Sequence, residues 1–188
     1  MINRIIEIGL SDTDLQKIYE HLENTPEEKK FRHPNYGHIA YFSWLPDQVV
    51  DKINKVMADQ FPEDRLELRE LSFARYDNSV GVKPQLYPHF DNPFQEQRFT
   101  LDIQVKSTID WPIVVEGNEY VLKDNQGLMF SGTHQIHWRV DKPFKDSDFV
   151  EMIFCHFSKV GEEKISDDHR KAMLEKEAEL LKVWQSKQ

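Results

Sequence analysis

His89-Phe90-Asp91-Asn92-Pro93 follows Tyr87 and stands at the entrance to the part of the chain richest in short apolar runs. Its first and third residues are an imidazole and a carboxylate, and in an extended backbone positions i and i+2 project to the same face. One divalent ion can therefore reach both. Such a pair leaves the metal needing a third ligand, and a single distant histidine completes the facial triad, with open positions, that suits non-haem Fe(II) oxygen chemistry. His134, His137 and His156 are the downstream candidates, and His137 opens a strand after the turn at Gly132. The set carries the signal, since any one of these histidines alone is an ordinary hydrogen-bonded residue.

Outward from this motif, from about residue 66, short apolar or alternating segments are separated by turn residues, the grammar of a sheet protein. The predicted strands are Leu66 to Tyr76, Phe99 to Val105, Ile113 to Val115, Glu119 to Leu122, Leu128 to Phe130, His137 to Val140 and Phe149 to Phe157. Upstream, Ser11-Asp12-Thr13-Asp14 offers N-cap oxygens, and Leu15, Ile18, Tyr19 and Leu22 recur at helical spacing, which predicts a helix over residues 12–23. Val49, Val50, Ile53, Val56 and Met57 repeat that period, whereas Phe31 to Trp44 has none and reads as strand or loop. Met173, Leu174, Leu180, Leu181 and Trp184 in the charged stretch after Ile165 predict a closing helix. Helices first and many short strands after them predict a β-sandwich or small barrel with helices packed on one sheet. The expected organisation is one domain over residues 1–188, with helical support over about 1–65, a β core over about 66–158 and a C-terminal helix over about 161–186.

Composition narrows the function classes. With 39% hydrophobic and 30% charged residues the chain suits a globular fold. A formal net charge of -9 argues against a surface devoted to nucleic-acid phosphates or anionic lipid. Cys155 is the only cysteine, so an internal disulfide and cysteine-built zinc or iron–sulfur sites are out, which fits a reducing cytoplasm. The N-terminal Met1 to Glu7 has a charge inside its apolar stretch and no small-residue cleavage site, and no stretch approaches membrane-spanning length, so no membrane partner is expected.

Residues 70–158 as a whole resemble the Fe(II)/2-oxoglutarate-dependent oxygenase superfamily, and within it the prolyl-hydroxylase-like branch. The resemblance rests on Arg75-Tyr76, Gly81, Tyr87, His89-Phe90-Asp91-Asn92-Pro93, Arg98 and Thr100, then Gly127-Leu128-Met129-Phe130 and Ser131-Gly132-Thr133-His134-Gln135-Ile136-His137-Trp138-Arg139. It implies a mainly β fold with flanking helices (α+β), built on a double-stranded β-helix (jelly-roll or cupin-like) core. The implied cofactors are Fe(II) and 2-oxoglutarate, with molecular oxygen as the other small partner, and the implied reaction is hydroxylation of an unidentified substrate with release of succinate and carbon dioxide. Carried across, His89, Asp91 and His137 look like the iron ligands and Tyr76 like the tyrosine that hydrogen-bonds 2-oxoglutarate. His134 is the rival third ligand; three positions from His137, it faces the other way in an extended strand.

The final strand departs from the family pattern: Phe149 to Phe157 contains no Lys or Arg to pair with the distal carboxylate of 2-oxoglutarate. A buried carboxylate needs a cation. Arg139, two residues after His137 and on the same strand face, is the best candidate, ahead of Lys106, Arg98, Lys142 and Lys145. Asn92 is a candidate support for Asp91, and Trp111, Trp138, Tyr87 and Phe94 are candidates for a substrate mouth. Two other function classes use the same residues: a non-oxidative cupin-like enzyme holding zinc or manganese on the triad, and a degenerate barrel that binds a ligand without turnover.

Overall fold

The computed structural model describes residues 3–91, 99–161 and 165–186. It is a double-stranded β-helix made of two antiparallel sheets, with two helices packed outside the larger sheet and a third near the C-terminus. In chain order the elements are β1 (Arg4–Glu7), α1 (Asp12–Glu23), β2 (Lys30–His33), β3 (His38–Tyr41), α2 (Asp47–Gln60), β4 (Leu66–Tyr76), β5 (Phe99–Ser107), β6 (Ile113–Val115), β7 (Asn118–Tyr120), β8 (Gln126–Phe130), β9 (His137–Arg139), β10 (Val150–Lys159) and α3 (Asp167–Gln185). The large sheet has the order β1-β8-β5-β10-β4-β3-β2 and the small one β7-β6-β9.

The period-2 pattern of the long strands decides what each face of the large sheet meets. Leu71, Phe73, Leu101, Ile103, Ile153, Cys155 and Phe157 turn outward and pack with Ile18 and Leu22 of α1 and Val49, Ile53 and Met57 of α2. Ile18, Val49, Ile53 and Met57 are wholly buried, each contributing roughly 1.5–3 kcal/mol of transfer free energy. Helix α1 begins where predicted: Ser11 Oγ accepts from Asp14 N–H at 3.2 Å and the Asp14 carboxylate accepts from Ser11 N–H at 2.8 Å, a reciprocal cap. The opposite face of the same strands carries Ala74, Tyr76 and Met152, which close on Trp111, Ile113 and Val115 between the sheets.

The undecided stretch Phe31 to Trp44 folds as a hairpin of β2 and β3, and β3 in turn pairs with β4, His38 opposite Tyr76. Its turn ends at Gly37, whose φ is 60° and which lies against the backbone of Val82 and Lys83, so no side chain fits there. The N-terminal 65 residues thus supply three strands besides their helices, including β1, which pairs with β8. Among the described residues no helix is long and apolar enough to cross a membrane.

Candidate metal centre

Segment 87–91 runs antiparallel to β9. His89 and His137 exchange both backbone hydrogen bonds, N–H to carbonyl, at 3.0 Å each, and Asp91 N–H donates to the Gly132 carbonyl at 2.9 Å. This pairing brings three ligand-type side chains together: one ligand atom from each of His89, Asp91 and His137 lies within 4.8 Å of the others. The outer atoms of each group are already committed. His89 Nδ1 bonds the Tyr87 carbonyl at 2.8 Å and His137 Nδ1 bonds the Gln135 carbonyl at 3.1 Å, so each ring presents Nε2 to the centre. Asp91 Oδ2 accepts from Thr100 Oγ1 at 2.6 Å, leaving Oδ1 at 3.2 Å from His137 Nε2 and 3.7 Å from His89 Nε2. Gly132 makes the carboxylate's position possible, since any Cβ there would lie on top of Asp91 Oδ2 and Thr100 Oγ1.

Burial pushes the Asp91 carboxyl up, but His137 and His156 outweigh it and hold it well below the usual carboxylate range. Burial likewise works against a proton on His137, and Asp91 overcomes this and raises its affinity for one. Burial lowers His89 to about 4. A carboxylate that stays ionised between two imidazoles with inward Nε2 atoms is a place made for positive charge, and a divalent ion fits it with three protein ligands.

The triad lines a cavity of ≈ 170 Å³ with His38, Phe42, Tyr76, Asp102, Phe154 and His156 among its walls. Tyr76 is buried, its ring against His38 and Trp111, and its hydroxyl bonds no described residue. His156 was one of the three third-ligand candidates from sequence, and Asp102 was not singled out. Both belong to the inward face of the long strands: β5 and β10 pair Thr100 with His156 and Asp102 with Phe154. His156 Nδ1 lies 3.6 Å from Asp91 Oδ2 and 3.4 Å from Thr100 Oγ1. Asp102 is 3% exposed, and burial followed by the nearby Asp91 pushes its carboxyl up to about 6. The available signal was the alternation of Thr100, Asp102 and Gln104, three polar residues in one strand on one face.

The other expected site residues are placed as follows. His134 is not gathered into the triad; its Nδ1 lies 3.0 Å from Thr133 Oγ1 and its ring 4.8 Å from His169. Arg139 is 2% exposed and donates to the Trp111 carbonyl and the Met152 sulfur, with its guanidinium 4.9 Å from the Trp111 ring centroid. It pairs with no described carboxylate, Asp141 being bonded to Lys83, yet it is not among the residues lining the cavity. Lys106 and Lys145 are exposed, and Lys142 donates to the Asp110 carbonyl. Trp111 is core, and Tyr87 and Trp138 lie outside the cavity wall, whose Phe and Tyr members are instead Phe42, Tyr76 and Phe154. Asn92, Phe94 and Arg98 fall outside the described residues.

No family model and no curated protein matches this sequence. Solved structures do match the fold. A 2OG-Fe(II) oxygenase family oxidoreductase from Burkholderia pseudomallei aligns at TM-score 0.59 and 10% identity over 83% of this chain and 84% of its own. HygX from Streptomyces hygroscopicus, solved with nickel and 2-oxoglutarate bound, aligns at 0.61 and 9%, over 86% and 84%. A prolyl hydroxylase from Trichoplax adhaerens, solved with a hypoxia inducible factor peptide, aligns at 0.57 and 11%, over 90% and 86%. At these identities the likeness establishes a shared fold, that of the 2-oxoglutarate oxygenases.

Proposed function

We propose that this chain is an Fe(II)- and 2-oxoglutarate-dependent dioxygenase that hydroxylates its substrate with release of succinate and carbon dioxide, with His89, Asp91 and His137 as the iron ligands. The carrying observation is the 4.8 Å cluster of one carboxylate and two imidazoles, each oriented by an outer hydrogen bond, at the wall of a cavity inside a β-helix. Iron and 2-oxoglutarate together supply oxygen activation coupled to decarboxylation of the keto acid. The protein's part is placement. Thr100 keeps Asp91 Oδ2, which leaves Oδ1 as the single oxygen for the metal. Tyr76 offers the co-substrate a hydroxyl that bonds no described residue, and Leu86 and Phe154 add apolar wall to the cavity. Arg139 supplies the buried positive charge that a dicarboxylate needs, since no described carboxylate claims its guanidinium. That HygX was solved with nickel and 2-oxoglutarate on the same fold supports this choice of co-substrate. In this proposal residues 1–188 work as one domain, because α1, α2 and α3 all pack on the elements that carry the site.

A second assignment is favoured by one pair of facts: Arg139 does not line the cavity, whereas the acidic Asp102 does. It is a non-oxidative enzyme holding zinc or manganese on the same triad. Anaerobic loading with Fe(II), addition of 2-oxoglutarate and then oxygen, and measurement of succinate separate the two. Succinate that depends on iron and disappears in Asp91→Ala supports the oxygenase. One equivalent of bound metal with no succinate at any co-substrate concentration transfers the assignment to the second enzyme, and absence of bound metal overturns both.

A further inference from the structure

Helix α3 lies over the two backbone segments that carry the triad, and its contacts with them go beyond apolar packing. Met173 and Leu180 bury Phe90 and Ile136, the residues adjacent to the ligands: Phe90 sits between His89 and Asp91, and Ile136 precedes His137. The amides of His89 and Asp91 are used against β9 and the Gly132 carbonyl, so the intervening Phe90 N–H points the opposite way, out of that pairing. Glu177, reaching from a residue 87 positions away, accepts it through Oε2 at 3.1 Å. The neighbouring Lys176 does the equivalent for the other segment through one intermediary. Its Nζ lies 3.0 and 3.1 Å from the two oxygens of Glu116, and Glu116 Oε1 accepts from Ile136 N–H at 2.9 Å.

A further observation points the same way. Trp184 packs its ring 4.7 Å from that of Tyr87, the residue whose carbonyl orients the His89 ring. Charged acceptors make stronger and shorter hydrogen bonds to N–H donors than neutral ones, and consecutive residues of a rigid helix hold their two targets at one spacing.

We propose that α3 is a clamp on the metal centre, with Glu177 and Lys176 as positioning residues that set the distance between the His89–Asp91 segment and His137. This rests on the assignment of the triad as metal ligands. Neither residue touches the metal; both act through the backbone of the ligand-bearing segments, much as outer hydrogen-bond partners tune a site by orienting its ligands.

The test uses the full chain and Co(II) as a spectroscopic probe, with affinity measured by competition against a chelator and geometry by the visible absorption bands. Glu177→Leu is expected to weaken Co(II) about 10–100-fold, the range for outer partners of metal ligands, and to shift the bands. Glu177→Gln, which retains an acceptor oxygen for Phe90 N–H, restores most of the affinity. Lys176→Met shifts the bands as well, while Glu175→Leu, on the exposed side of the helix, leaves both readouts unchanged. Amide exchange in the metal-free protein gives an independent arm: the Phe90 amide exchanges faster in Glu177→Leu while amides of β5 and β10 keep their protection. Wild-type affinity and spectrum in Glu177→Leu and Lys176→Met overturn the clamp and leave the metal centre standing. Failure of the unaltered chain to bind Co(II) overturns the metal centre, and the clamp with it.

Discussion

Replacing Gly132 by alanine tests the geometry of the centre with one methyl group. The backbone at Gly132 is not in the left-handed region, so alanine meets no conformational penalty and its cost is steric. The new Cβ would clash with both Asp91 Oδ2 and Thr100 Oγ1 and lie 2.6 Å from Asp91 Cγ, so the carboxylate must move by roughly the 1–2 Å that restores contact distance. Moving it breaks the 2.6 Å bond from Thr100 and pulls Oδ1 away from His137 Nε2. Loss of a hydrogen bond to a charged group costs about 1.5–3 kcal/mol and overpacking about 1–3 kcal/mol, and the two overlap here. A net cost of about 2–4 kcal/mol lowers the metal-free thermal midpoint by roughly 5–15 °C, and an ordinary stability of about 5–15 kcal/mol leaves the fold intact. Co(II) affinity falls at least about 10–100-fold, because Asp91 no longer reaches the metal from its place between the imidazoles. Gly127→Ala is the control: its Cβ meets Leu101 and Ile8 in the core, so it loses stability but keeps metal affinity. Chelator competition and calorimetric scans of both variants measure this. Gly132→Ala binding Co(II) with wild-type affinity and spectrum would refute the placement of Asp91.

Other outcomes follow from the same geometry. His137→Ala should lose bound Fe(II) by elemental analysis, whereas His134→Ala should retain one equivalent, since only the former joins His89 and Asp91. Arg139→Met should weaken 2-oxoglutarate by tens-fold or more with Fe(II) affinity unchanged, as breaking a buried charge pair costs about 2–5 kcal/mol; calorimetric titration of the anaerobic metal-loaded variant reads both, and unchanged co-substrate affinity removes Arg139 from the role. Asp102, raised from 3.8 to about 6 chiefly by burial, binds its proton more tightly folded than unfolded. Its contribution to metal-free stability is therefore full below about pH 4 and lost as pH rises through about 6, a swing of about 3 kcal/mol at about 1.4 kcal/mol per unit. Urea unfolding in chelator should show Asp102→Asn more stable than wild type at pH 8 but not at pH 4, and parallel pH profiles would exclude this origin.

Much of the centre is local in sequence. His89 and Asp91 share a face because strand geometry repeats every two residues, and the same period in β4, β5 and β10 separates the residues packed on α1 and α2 from those lining the cavity. The Ser11 cap and the apolar period of α1 and α2 are readable for the same reason: the interactions span three or four residues. Residues 31–44 were not readable, because β3 is held extended by pairing with β4, more than thirty positions downstream, and β2 in turn pairs with β3.

Sequence by itself thus determined the candidate ligand types, and through backbone periodicity the strand faces and the alternation that makes a β-helix. Tertiary structure alone decided which distant groups meet. The register of β10 against β5 set His156 beside Thr100 and Asp91. Contacts with Trp111 and Met152 hold the Arg139 guanidinium, which is not among the cavity-lining residues, whereas Asp102 lines the cavity. The docking of α3 put Glu177 on the Phe90 amide. Each depends on how two separately folded segments settle against each other, and side-chain order along one segment carries no information about the other until both faces are buried together.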